Sequence, residues 1–246
     1  RRLLNDAAAS GMVATVVVGT RPSGVALDRI GGRVFVANQG DATVSVVDPE
    51  SLDIDVVAVD TAPMGVAVDA DARRVYVANQ VGTGGGTGGT VSVIDADTLA
   101  VTRLVVGGSP FGVAVNPVSG VVYVTSARTA GELLVIDPGT GAVQRRAVGT
   151  TPFGVAVTPD GSKVYVANAG SGTVTVVDAA TLAAKTVTVG AGPFGVGANL
   201  SGSRVFVANQ AAGTVSVLST ATDAVVATVN VGGTPIAFGT LVGPIN

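Results

Sequence analysis

Side-chain chemistry at neutral pH usually starts from a histidine, a cysteine thiolate or a matched pair of carboxylates, and this chain of 246 residues is poor in all three. It has no His and no Cys. That removes Ser-His-Asp and Cys-His nucleophiles, disulfides and the commonest transition-metal ligand. Its only glutamates, Glu50 and Glu132, lie in turn or strand-edge contexts of different units, so spacing specifies no acid–base pair. Asp53 with Asp55, and Asp69 with Asp71, form small acidic groups. The second pair runs into Ala72-Arg73-Arg74 instead of further oxygen ligands at calcium-loop spacing, so Arg73 or Arg74 is its expected partner. The glycines at 84–86 lack the lysine and the following helix of a phosphate loop. No cofactor is expected. A divalent cation on a symmetry axis stays compatible with the composition, because ligands contributed one per repeat leave no linear motif.

The residues that recur point to architecture. Asp48, Asp95, Asp137 and Asp178 each follow a Val-rich run, where a carboxylate accepts hydrogen bonds from the amides of the next turn. Asn38, Asn79, Asn168 and Asn209 recur in the same way and fit turn capping; Gln39, Gln80 and Gln210 follow three of them. These positions belong to a unit seen most clearly over residues 149–190. There, four β-patterned runs (GVAV, VYVA, TVTVV and TVTV) are separated by TPDGSK, NAGSG and DAATLAA. Each unit opens with Pro-x-Gly, at Pro22, Pro63, Pro110, Pro152 and Pro193, with a degenerate copy at Pro235. Steps of 41 to 47 residues with four strands per unit are the period of propeller blades. One meander cannot bury both faces; meanders set radially bury each face against a neighbour.

The expected fold is therefore all-β: a β-propeller of four-stranded antiparallel blades, forming a single domain over residues 1–246. Complete blades are expected at about 22–59, 63–106, 110–148, 152–189 and 193–231. The chain opens with what reads as a third strand and ends with a first strand. A sixth blade closed by both termini, from residues 1–18 plus 235–246, is expected, with five blades as the alternative. The missing strand before Arg1 suggests a processed or truncated N-terminus. The Gly/Thr insertion at 81–89 is expected to be a loop.

Hydrophobic residues make up 47% of the chain and charged residues 13%, yet Gly, Pro and Asp break every apolar run well before about 18 residues, so no membrane span is expected. Net charge is −3, and Lys163 and Lys185 are the only lysines. With no basic stripe, nucleic acid is an unexpected partner.

The units resemble the YVTN-type repeat, also called the surface-layer-type or 40-residue β-propeller repeat, on PFGVAVTPDGSKVYVANAGSGTVTVVDAATL and the C-terminal PIAFG. The resemblance spans nearly the whole chain. It implies a bacterial or archaeal secreted, periplasmic or cell-surface protein; related propellers include lactonases, lyases and binding scaffolds. Relatives often have seven blades, where this sequence supports at most six.

The position most open to function is x in Pro-x-Gly, at the start of the innermost strand: Ser23, Met64, Phe111, Phe153, Phe194 and Ile236. Three consecutive phenylalanines form either a plug in the channel mouth or an apolar rim that anchors a partner. Arg21 and Arg128 would add charge at the same face. The leading expectation is a non-enzymatic extracellular or cell-surface scaffold that binds a protein or other ligand through this mouth. A metal-assisted, lactonase-like hydrolase or lyase on the axis is the alternative from another class, and a self-associating surface-coat subunit is the third.

Overall fold

Val- and Thr-rich runs bounded by Gly, Pro and Asp favour short strands, and strands are what form. The computed structural model describes residues 14–81, 88–127 and 130–236. Within them lie five four-stranded antiparallel sheets. The first holds β1 (Pro22–Leu27), β2 (Val34–Asn38), β3 (Thr43–Val47) and β4 (Ile54–Ala58). The second holds β5 (Pro63–Asp69), β6 (Arg74–Asn79), β7 (Thr90–Asp95) and β8 (Val101–Val105). The third holds β9 (Pro110–Val115), β10 (Val122–Ser126), β11 (Glu132–Ile136) and β12 (Val143–Ala147). The fourth holds β13 (Pro152–Val157), β14 (Lys163–Asn168), β15 (Thr173–Asp178) and β16 (Ala184–Thr188). The fifth holds β17 (Pro193–Ala198), β18 (Arg204–Asn209), β19 (Thr214–Ser219) and β20 (Ala224–Asn230).

Five sheets match the alternative blade count, not the six expected first. Residues 14–18 and 231–236 form no strand, and the rest of the expected closing blade, at 1–13 and 237–246, lies outside the described residues. So does most of the 81–89 insertion. The innermost strands pack in sequence, β1 on β5, β5 on β9, β9 on β13 and β13 on β17, and no comparable packing joins β17 back to β1 among the described elements. The sheets therefore form an arc.

Pro-x-Gly explains the close approach at the arc's inner edge. Proline begins each inner strand, where its missing N–H costs no ladder bond. It pairs with the asparagine that ends the second strand (Pro22 with Asn38, Pro63 with Asn79, Pro152 with Asn168, Pro193 with Asn209), and a bulge follows before regular pairing resumes. The glycine then faces the next sheet's backbone. A Cβ on Gly65 would lie 2.6 Å from the Phe111 carbonyl oxygen and one on Gly154 2.6 Å from that of Phe194; on Gly24 or Gly112 it would come closer still to Met64 or Phe153.

The core lies in the seams between sheets. Phe35, Val44 and Val46 of the first sheet meet Val66, Val75, Val77 and Ile94 of the second. Tyr76 and Val91 meet Val122, Val124, Leu134 and Ile136. Tyr123, Leu133 and Val135 meet Val164, Val166 and Val177. Tyr165, Val174 and Val176 meet Val196, Val205, Val207 and Leu218. Fully burying such a side chain is worth roughly 1.5–3 kcal/mol, so each seam is strongly held.

Polar groups at strand ends are satisfied in a repeating way. Asp48, Asp95, Asp137 and Asp178 each accept two amides of the following turn at 2.7–3.1 Å. These bonds hold all four carboxyls below the ordinary aspartate range. Groups lowered in the folded state contribute stability that is full above the unfolded aspartate pKa, near about 4. That stability drains as pH falls through the folded values. Melting temperature should thus be flat from about pH 6 to 8, where no unperturbed side chain of this chain titrates, and fall steeply below about pH 4. Differential scanning calorimetry across pH checks this; a slope near neutrality would contradict it.

Arg73 does not pair with the Asp69 and Asp71 beside it. Its guanidinium bridges Asp28 of the neighbouring sheet at 2.6 Å and Asp97 at 2.7 Å. Asp69 instead accepts the Ala72 amide, and Arg74 donates to the Pro138 carbonyl across a seam at 2.9 Å. Arg73 sits in a left-handed turn, φ +54°, and its side chain reaches the preceding sheet.

Candidate functional site

The first residues of the inner strands bring together part of the expected face. Phe111 and Phe153 have ring centroids 4.5 Å apart, Phe153 and Phe194 also 4.5 Å, and Phe111 meets Phe194 edge-on at 5.8 Å. Rings from sheets three and five touch although a whole sheet separates them, so the three converge toward the arc's hub. Each such pair adds about 0.5–1.5 kcal/mol beyond area burial. Phe111 is 6% exposed, while Phe153 and Phe194 are only part-buried. The cluster is thus self-packed with two rings still reaching solvent.

The other expected residues take different roles. Met64 receives a contact at 3.1 Å from the Gln39 amide nitrogen to its sulfur. Ser23 Oγ donates toward the Pro63 and Met64 carbonyls at 3.0 Å, tying sheet one to sheet two. Arg21 is exposed in a left-handed conformation, φ +51°, and its carbonyl accepts the Gln39 amide. Ile236 is 53% exposed, past the last strand. Arg128 lies outside the described residues.

Behind this mouth, the recurring asparagines are fully buried. Each donates from Nδ2 to two hydroxyls, as Asn168 does to Thr173 and Thr175 at 3.2 and 2.9 Å, and Asn209 does to Thr214 and Ser216 at 3.0 and 2.9 Å. In sheet three, Ser126 stands in this place and Thr125 Oγ1 bonds the Phe153 carbonyl at 2.6 Å. Among the described residues no three Asp or Glu side chains gather as a metal set. No helix of the described residues is long and apolar enough to cross a membrane.

One cluster escaped the sequence reading. Asp223 is 8% exposed, and both lysines of the chain converge on it: Lys163 Nζ at 2.9 Å and Lys185 Nζ at 2.6 Å. The Tyr165 hydroxyl donates to the same carboxylate at 2.6 Å. Burial pushes the Asp223 carboxyl up, but Lys185, Tyr165 and Lys163 outweigh it and hold it below the ordinary range. Burial, then the bond to Asp223, drives the Tyr165 phenol far above its ordinary range. The partners lie 38 to 60 residues apart on different sheets, so no local motif marks them; lining up the turns between third and fourth strands would have.

In sequence, neither a family model nor a curated protein matches the chain. Solved structures do match in shape. One, from a nidogen/laminin complex, has a TM-score of 0.69 at 17% identity, covering 86% of this chain and 81% of that one. A β-propeller domain of Cps50 (Swd1) from Myceliophteria thermophila gives 0.70 at 14%, covering 85% and 68%. The fold is that of a β-propeller. A functionally unknown protein of Desulfotomaculum acetoxidans matches this propeller equally well, at 0.70 and 17%, covering 83% and 67%. At such identities the likeness is one of fold alone, and the five sheets are its blades.

Proposed function

We propose that this propeller is a non-enzymatic scaffold of the YVTN-like type that recognises a protein through its mouth face. The observation that carries the reading is the three-phenylalanine cluster, with Phe153 and Phe194 part-exposed on strands that the neighbouring blades hold rigid. Aromatic anchors on a preorganised backbone bind at low entropic cost. Nidogen in a complex with laminin offers a propeller-containing assembly as analogy. Placement outside the cytoplasm belongs to the same proposal and rests on the repeat resemblance.

Peptides selected from a displayed library against the intact chain should include aromatic-seeking binders. Their affinity should drop at least about tenfold in Phe153→Ser/Phe194→Ser, the loss of roughly 1.4 kcal/mol or more expected of a hot spot. Circular dichroism would verify that the double variant stays folded. Selected peptides that bind the folded variant as well as the wild type would refute the mouth as the recognition face.

A further inference from the structure

The turn between the third and fourth strands of every blade contains one residue in the left-handed conformation. Its amide donates back to the carbonyl of the residue that ends or directly follows the third strand. It is Leu52 (φ +65°), Leu99 (+60°), Gly141 (+72°), Leu182 (+58°) and Asp223 (+49°). In three seams its side chain joins the packing between its blade and the preceding one. Leu99 packs on the cluster containing Phe35, Leu182 on that containing Tyr123, and Asp223 bonds Tyr165. The seam between blades two and three has Gly141 there and no side chain at all.

A cavity of about 190 Å³ occupies that seam, lined among others by Arg74, Tyr76, Thr102, Leu104 and Gly141. A Cβ on Gly141 would meet nothing nearer than Leu104 Cδ1 at 3.5 Å, so the backbone leaves room for a guest. The lining repeats the frame that holds Asp223. Tyr76 occupies the place of Tyr165: each pairs in register with a third-strand valine, Val93 or Val176. Arg74 and Lys163 both begin their strands, two residues before the tyrosine. Thr102 and Lys185 face those same valines from the outer strand.

Tyr76 is 2% exposed, and its hydroxyl lacks a hydrogen-bond partner of good geometry. Burial raises its pKa, and Arg74 stands near enough to oppose that rise. The competing carboxylate at the cavity, Asp137, has Oδ1 committed to its own turn amides, and Arg103 reaches Asp60 at 3.5 Å.

We infer that this seam is a binding site for a small aliphatic carboxylate, whose head group takes the place that the Asp223 carboxylate fills between blades four and five. The Tyr76 hydroxyl and the Arg74 guanidinium donate to the carboxylate, and Leu104, Ile136 and Val93 cover a short apolar body.

Propanoate is the probe, read by saturation-transfer NMR on the intact chain, with propanamide and inorganic phosphate as controls. Propanoate should bind saturably, more tightly than either control. Tyr76→Phe should weaken it at least about tenfold, the worth of one bond to a charged acceptor. Gly141→Asp should supply the carboxylate internally, abolish binding and raise the melting temperature, as aspartate tolerates this backbone at Asp223. No saturable propanoate signal, equal binding of phosphate or propanamide, or undiminished binding by folded Gly141→Asp would each overturn the inference. Were Gly141→Asp unable to fold, full propanoate affinity in Tyr76→Phe would overturn it.

Discussion

Gly112→Ala should cost the protein about 3 kcal/mol, far above the usual price of a surface methyl. The added Cβ would run into the Phe153 carbonyl oxygen and lie 3.1 Å from Thr125 Oγ1. Neither can retreat. The Phe153 carbonyl accepts from Thr125 at 2.6 Å, and Thr125 also accepts the Gly112 amide at 2.8 Å. Blades three and four must therefore part at the hub, and the tilted Phe111–Phe153 pair parts with them. For a chain this size the melting temperature should drop by roughly 6–12 °C. Gly139→Ala is the control, because its methyl would touch only the Asp137 carboxylate at 3.3 Å. Equal melting temperatures for the two variants would mean that the inner strands are not packed at their limit.

Asp223→Ala should be nearly as damaging, at about 2–3 kcal/mol or roughly 5–10 °C. It leaves the Tyr165 hydroxyl in the seam without its acceptor and Lys163 with the Thr220 carbonyl in place of a carboxylate. The figure is set below that for a fully buried pair because Lys185 is 53% exposed and can turn to water. The sign with pH is fixed by the lowered Asp223 carboxyl. Its contribution is full above the unfolded aspartate pKa and is lost as pH falls through the folded value. The difference in stability between wild type and Asp223→Ala should hence be large at pH 7 and shrink toward pH 3. A gap that stays constant over that range, measured by urea unfolding, would show that the carboxylate's charge is not what holds the seam.

The fold was legible because its signals are local and repeated. Pro-x-Gly, the VYVAN-like run and the Asp-led turn each recur at a fixed offset, and each has a backbone reason to sit where it does. Blade closure was not legible, since it depends on how chain ends meet. The site was legible in part. Phe111, Phe153 and Phe194 share one register, so their convergence follows once the blades are radial, but their mutual burial does not follow from spacing. Arg73 was misassigned to its sequence neighbours because a left-handed turn residue reaches across a seam, a direction that residue order does not encode. The Asp223 cluster was missed for the same reason.

The left-handed turn residue works as an interchangeable socket. Its backbone is held by the same amide bond whatever the side chain, so leucine, glycine and aspartate can all enter; only the blade with Asp223 shows a register shift between its third and fourth strands, at Val217 and Leu218. A single codon change thereby converts a crevice from greasy to charged to vacant while its neighbours stay untouched. A repeat protein built this way can acquire or lose a guest at one seam with the remainder of the arc left as it was.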